Sequence, residues 1–155
     1  MWIARLAPEQ RDAARHLVGG GRAGELLARA VADPPTRECI ALAALDGDDL
    51  LGVLLYGEVA GALGTGALLW LAVADGVRRR GIGTALVADA VARLDGMRLI
   101  VAEVSTSLRA APALLGRCGF EREGEVERFY SDDEGMEIWV RRPAAGAQEG
   151  ERGAE

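Results

Sequence analysis

The sequence predicts a mixed α/β domain with a mostly antiparallel sheet of seven strands flanked by about four helices. Two observations predict it. Apolar residues change period along the chain in the order β-α-α-β-β-β-α-β-α-β-β. Three strand-like runs also follow one another in the middle with no helix between them. Regular β-α-β alternation would point to a doubly wound nucleotide-binding sheet, and this order disfavours it.

"MWIARLA" opens the chain as a short strand. Pro8 suits the first turn of a helix, where a missing N–H leaves no bond unmade, and "PEQRDAARHLV" reads as that helix. "GGGRAG" is expected to break it and to act as a hinge. "ELLARAVAD" then carries Leu26, Leu27, Ala30 and Val31 at helical spacing, and Pro34-Pro35 ends the run. "RECIALAAL" and "LLGVLLYGEVA" flank "DGDD", which is the pattern of a β-hairpin. After "GALGTG" comes "ALLWLAVAD", a third strand. From Gly81 to Leu94 the period is helical again, with Gly83, Val87, Ala90 and Leu94 on one stripe and Asp95-Gly96 as its stop. "RLIVAEV" is a strand and "AAPALLGRC" a short helix leading into "GF". "REGEVERFY" and "MEIWVRRP" are two last strands around "SDDEG". The reading is one domain over residues 1–143. Residues 144–155, "AAGAQEGERGAE", lack any large apolar side chain and are expected to be a disordered acidic tail.

Composition narrows the function classes. The chain has 155 residues, half of them apolar, and a net charge of −6. A basic face for phosphate backbones is not expected, so nucleic acid is disfavoured as a partner. An acidic chain suits a cationic substrate such as an amine. Cys39 and Cys118 have neither disulfide-framework nor metal-ligand spacing, so no metal is expected. No run approaches the ~18 apolar residues of a membrane span, and the start does not read as a leader. A cytoplasmic protein is expected.

The stretch most informative about chemistry is "VRRRGIGTAL", residues 77–86. A strand ends just before it and a helix starts inside it. A helix start leaves backbone N–H groups without partners and carries partial positive charge, so it receives anions. Glycine at 81 and 83 is expected to let a phosphate approach the backbone, and Arg78, Arg79 and Arg80 add charge. GxxxxGK[ST] is absent, and GxGxxG would need glycine where Leu86 stands.

Strand, Arg78-x-x-Gly81-x-Gly83, helix, strand, short helix, Gly-Phe, two strands: this order resembles the GNAT superfamily of acyl-CoA N-acyltransferases. The signature matched is Gln/Arg-x-x-Gly-x-Gly/Ala. "LAVADGVRRRGIGTALV" resembles the family's strand-loop-helix segment along its whole length, and "LLGRCGF" its helix ending in Gly-Phe. The resemblance implies acetyl-CoA as the acyl donor and an amine of a small molecule or protein as acceptor. It implies that the diphosphate lies on the N–H groups of Arg79, Arg80, Gly81, Ile82, Gly83 and Thr84. The pantetheine arm would run beside Leu71, Ala72 and Val73, with the acyl carbonyl at a backbone N–H near Val73. Dimers are common in the family, so a homodimer is left open.

The chain departs from the family where the acid and base usually stand. Leu115 occupies the place of a tyrosine, Leu108 that of an asparagine, and Ala67 lies near the place of a glutamate. Substitutes are read from the residues. Glu58 shares a strand face with Tyr56 and would be a base if that face opens on the cleft. Glu103 in "VAEVS" would serve if it points between the central strands. Tyr130, in the last hairpin, would reach the thiolate or line the acceptor pocket. Each has a structural alternative: a solvated carboxylate, a held hydrogen bond, a tyrosine packed at a turn. Cys118 reads as a packing residue rather than a nucleophile, and His16 as a surface residue. Asp132, Asp133 and Glu134 read as solvated turn residues that could steer an amine. A direct-transfer N-acetyltransferase is the first reading. A non-catalytic acyl-CoA-binding sensor or accessory module is the second, and Leu115 favours it. A small nucleotide-binding domain is the third.

Overall fold

A computed structural model describes residues 1–143 of the chain. The tail expected from residue 144 lies outside the described residues. In chain order the elements are β1 Trp2–Arg5, α1 Arg11–Val18, α2 Gly21–Ala30, β2 Ile40–Asp46, β3 Asp49–Glu58, β4 Thr65–Val73, α3 Ile82–Arg93, β5 Leu99–Ser105, α4 Ala111–Arg117, β6 Glu121–Ser131 and β7 Glu134–Arg141. Short 3-10 turns at Pro8–Gln10 and Asp75–Val77 lead into α1 and out of β4.

One seven-stranded sheet runs β1-β2-β3-β4-β5-β7-β6. Every neighbouring pair is antiparallel except β4 and β5. The parallel pair follows from α3: a crossover helix returns the chain to the same end of the sheet. Two cores lie on opposite faces. Leu42, Leu54, Tyr56, Leu86, Val87, Ala102 and Leu115 pack with α3 and α4 on one face. Ala14, Leu26, Leu27, Val53 and Leu55 pack with α1 and α2 on the other. Each fully buried leucine contributes about 1.5–3 kcal/mol relative to an exposed one.

One expectation shifts. "GGGRAG" does not break the chain throughout, because α2 already starts at Gly21 and only Gly19 and Gly20 separate it from α1. Of the three tryptophans, all in strands, Trp139 is buried and Trp2 and Trp70 are exposed on the sheet.

Candidate functional site

β4 is paired on both sides for only part of its length. Thr65 to Leu68 register with Leu99 to Ala102 of β5, and there the pairing stops. β5 continues along β7 to Ser105. On its other edge, β4 keeps β3 as far as Val73. Tyr56 opposes Leu68 and Leu55 opposes Trp70, so Leu69 is an extra residue in β4. A bulge of this kind bends the strand that carries it. It sits where β4 and β5 part, and a cleft opens between them.

The backbone direction at the open end follows from one bond. The Ala74 N–H donates to the Leu51 carbonyl at 2.9 Å, so residue 74 turns its polar edge to β3. Alternate residues point alike, so Ala72 faces β3 while Leu71 and Val73 turn N–H and C=O into the cleft. Ala72, expected beside the cofactor, therefore has its backbone in the β3 ladder. The Val73 carbonyl receives the Arg78 Nε at 3.4 Å, and Arg78 is also ion-paired with Asp75 at 2.8 Å.

The turn after β4 presents a run of backbone donors. Among the described residues, the N–H groups of Arg79, Arg80, Gly81, Ile82, Gly83 and Thr84 donate to no protein acceptor. The first bond back is from Ala85 to the Gly81 carbonyl, 3.0 Å. Arg79 at φ 67° and Gly81 at φ 78° are left-handed, and such alternation gathers successive N–H groups into a concavity that suits an anion. Arg79 and Arg80 are exposed and, among the described residues, pair with no carboxylate. These donors and charges fit a diphosphate. Gly81 has open space beside its Cα. Gly83 does not: a Cβ there would stand 2.9 Å from Leu114 Cδ1 and 3.4 Å from Leu71 Cδ2. The bareness of Gly83 lets α3 lie close against α4 and β4.

Glu103 is the first residue of β5 beyond its last pair with β4. Its neighbours Ala102 and Val104 pack with α3 and α4, so Glu103 projects from the α1/α2 face, exposed at the fork of the cleft. Tyr130 reaches the same region from β6. Its phenol is pushed above the usual range first by burial, then by the Glu103 carboxylate, with Glu134 adding to the rise and Arg22 of α2 opposing it. Glu134, read from sequence as a solvated turn residue, instead accepts hydrogen bonds from Ser105 and from Ser107, the latter at 3.2 Å. Trp70 shares the face of its partner Leu55, so it too lies on the α1/α2 side, partly exposed. Arg22 and Trp70 were not read from sequence as site residues, and Glu134 was read only as a turn residue that could steer an amine. Only contacts between distant segments bring them here.

Glu58 is not brought to this site. It pairs with Gly66, seven residues along β4 from Val73, roughly 23 Å at strand spacing. It shares a face with Tyr56, which packs into the α3 core, so the sheet separates it from Glu103 and Tyr130. It lines a hollow with Thr36 and Met97 instead. Leu115 is buried in the core, Cys118 directs its Sγ to the Thr84 carbonyl at 3.9 Å, and His16 is exposed on α1. Burial pushes the Cys118 thiol up, away from the thiolate a nucleophile needs.

Among the described residues, no helix is long and apolar enough to cross a membrane, and no group of three or more His, Cys, Asp or Glu is placed to hold a metal ion. The chain matches the acetyltransferase (GNAT) family over residues 6–120. It is similar to a protein assigned to the GNAT family from Desulfovibrio desulfuricans, at 28% identity and TM-score 0.78, covering 91% of this chain and 98% of that one. The ribosomal-protein-S18-alanine N-acetyltransferase of Escherichia coli shares the fold at 21% identity and TM-score 0.76, covering 91% and 92%. A Bacillus subtilis acetyltransferase in complex with CoA does so at 20% identity and TM-score 0.62, covering 81% and 95%. No curated protein sequence matches the chain.

Proposed function

The chain belongs to the acetyltransferase (GNAT) family, and we propose that it transfers the acetyl group of acetyl-CoA to a primary amine of a small molecule or protein, both substrates being bound together. One observation carries the reading: the open edge of β4 leads, past a short 3-10 turn, to six N–H groups that have no acceptor among the described residues. An anionic head followed by a long amide-bearing arm fits that pair of features.

Arg79 to Thr84 hold the diphosphate, with the Arg79 and Arg80 guanidiniums adding charge. Leu71 and Val73 offer the arm the groups that a neighbouring strand would have bonded. The Arg78 side chain satisfies the Val73 carbonyl until the arm takes its place. When bound, acetyl-CoA supplies an activated acyl group on a thiol that leaves readily. A free N–H at Val73, or at Leu71 one alternation earlier, stabilises the charge that develops on the acyl oxygen. Glu103 takes the proton of the amine, and Tyr130 returns one to the departing sulfur. A phenol is protonated across the neutral range, and burial and the Glu103 carboxylate push this one further up. Fixing both reactants in the cleft is itself a large part of the rate, about 7–11 kcal/mol when groups are aligned. Residues 1–143 act as one unit, and a cytoplasmic location fits two cysteines that are both free.

Buried Leu115 favours the second reading, a non-catalytic acyl-CoA-binding module, because leucine has no proton to give. Tyr130 answers that objection from another strand. Release of free thiol from acetyl-CoA across a panel of amines separates the two. Turnover with any amine supports the enzyme; saturable coenzyme A binding with no thiol release supports the module.

A further inference from the structure

β6 does not follow β7 smoothly. Val126 opposes Met136, yet the next registered pair is Ser131 with Glu134. Three more residues are therefore spent on β6 than on β7, and Glu127 to Tyr130 stand out of the ladder. Arg128 within this bulge has φ 56°, a left-handed conformation that an L side chain resists. Tyr130 leaves the bulge with its ring set edge-on to Phe129, centroids 4.9 Å apart at 88°. Something must hold so irregular a segment in one shape.

Two residues do so. Gly135 lies under the bulge: a Cβ there would stand 2.9 Å from the Val126 carbonyl oxygen and 3.5 Å from the Glu127 Cα. Only a bare Cα lets the bulge settle this deeply. Gly135 is also bolted to the end of β5. Its N–H donates to Thr106 Oγ1 at 3.0 Å, and its carbonyl accepts the Thr106 N–H at 3.0 Å. Thr106 is three residues from Glu103 on the same strand end. The carboxylate and the phenol thus sit on two segments that this reciprocal bond ties together.

We propose that Thr106 and Gly135 are positioning residues that fix the β6 bulge so that Tyr130 stands over Glu103. Neither touches a substrate, and both act through the tyrosine. The inference rests on the reading of Tyr130 and Glu103 as the proton-handling pair, and its test does not need the acceptor to be known.

The chain has two tyrosines, so a full-length Tyr56→Phe parent leaves Tyr130 as the only phenol. Tyrosinate absorbance, followed through an alkaline titration with circular dichroism as the fold control, reads its pKa directly. Thr106→Val, which removes the acceptor oxygen, is expected to bring the titration down toward that of free tyrosine, because burial and the Glu103 carboxylate no longer act on the ring. Thr106→Ser keeps the oxygen and is expected to restore the parent value. Acetyl transfer by Thr106→Val, on whichever panel amine the parent acetylates fastest, should fall about 10²-fold in kcat with the KM for acetyl-CoA unchanged, as misplacement of a reacting group does. An unmoved titration in folded Thr106→Val overturns the proposal while leaving the acetyltransferase reading intact. If Thr106→Val does not fold, the same titration of Gly135→Ala decides in the same way. If the titration moves but Tyr130→Phe is silent in turnover, the positioning stands and the acid role of Tyr130 falls.

Discussion

The two ends of β4 are one strand with opposite duties. From Thr65 to Leu68 it has a neighbour on each side, and Gly66 lies tight beneath Leu94. From Trp70 to Val73 it keeps only β3. The first half is bonded out; the second half carries backbone groups turned into a cleft in the middle of a sheet. Such groups cost about 1–3 kcal/mol each when they are desolvated without a partner. A fold that leaves them open there has somewhere for them to go, and the Arg78 side chain on the Val73 carbonyl shows the demand already acting. One inserted residue, Leu69, marks the change from scaffold to site.

The sharpest way to break this contrast is proline. Ala72→Pro removes an N–H from the β3 ladder and should destabilise the chain by ~3 kcal/mol or more, against a total of about 5–15 kcal/mol. Val73→Pro removes an N–H that the sheet does not use. It should melt closer to wild type but bind acetyl-CoA about two- to tenfold more weakly, since a hydrogen bond to the ligand contributes about 0.5–1.5 kcal/mol. Equal losses of melting temperature in the two variants would show that the edges are not divided as described.

Next in size is catalysis. Glu103→Gln should lower kcat by about 10²–10⁴-fold with little change in the KM for acetyl-CoA, while Glu58→Gln, on the other face of the sheet, should leave both alone. Steady-state rates on one amine compare them directly. Tyr130→Phe should lower kcat by about 10²-fold. The wild-type pH profile also has a definite sign here. Because the phenol is pushed up from about 10, its proton is lost only above that value, so no alkaline fall from this group should occur below pH ~10. A fall beginning near neutrality would assign the limb to another group.

The smallest effect tests the missing family tyrosine. Leu115 is buried, so Leu115→Tyr adds bulk and a hydroxyl to a packed core. Thermal melts should show a loss of about 1–3 kcal/mol, and turnover should not rise. A faster enzyme would mean that the site at α4 is open after all.

Much of the fold was legible because period and punctuation are local. The change from 3.6 to 2 near Ile40, glycine at 96 and the Arg78-x-x-Gly81-x-Gly83 spacing each show on a few neighbouring residues. Glu103 was legible as a residue between the central strands, since it stands late in a short strand after the crossover helix. Glu58 was misread for a physical reason. Alternation correctly gave it the face of Tyr56, but which core that face meets, and which end of β4 it neighbours, depend on register with residues 65–73. The β6 bulge was illegible because its left-handed residue is Arg128, not glycine, and the glycine it needs is on the other strand. Glu134 joined the site through Ser105 and Ser107, a contact across 29 and 27 residues that no local pattern announces.

The central claim is that the open edge of β4 and the amides of the following turn together hold the donor. Amide NMR of the full chain during titration with coenzyme A tests it most directly. Saturable shifts concentrated at Leu71, Val73 and Arg79 to Thr84, with Ala72 and Thr65 to Leu68 little changed, are the result predicted here. Saturation with the shifts elsewhere, or no saturation at millimolar coenzyme A, would contradict it.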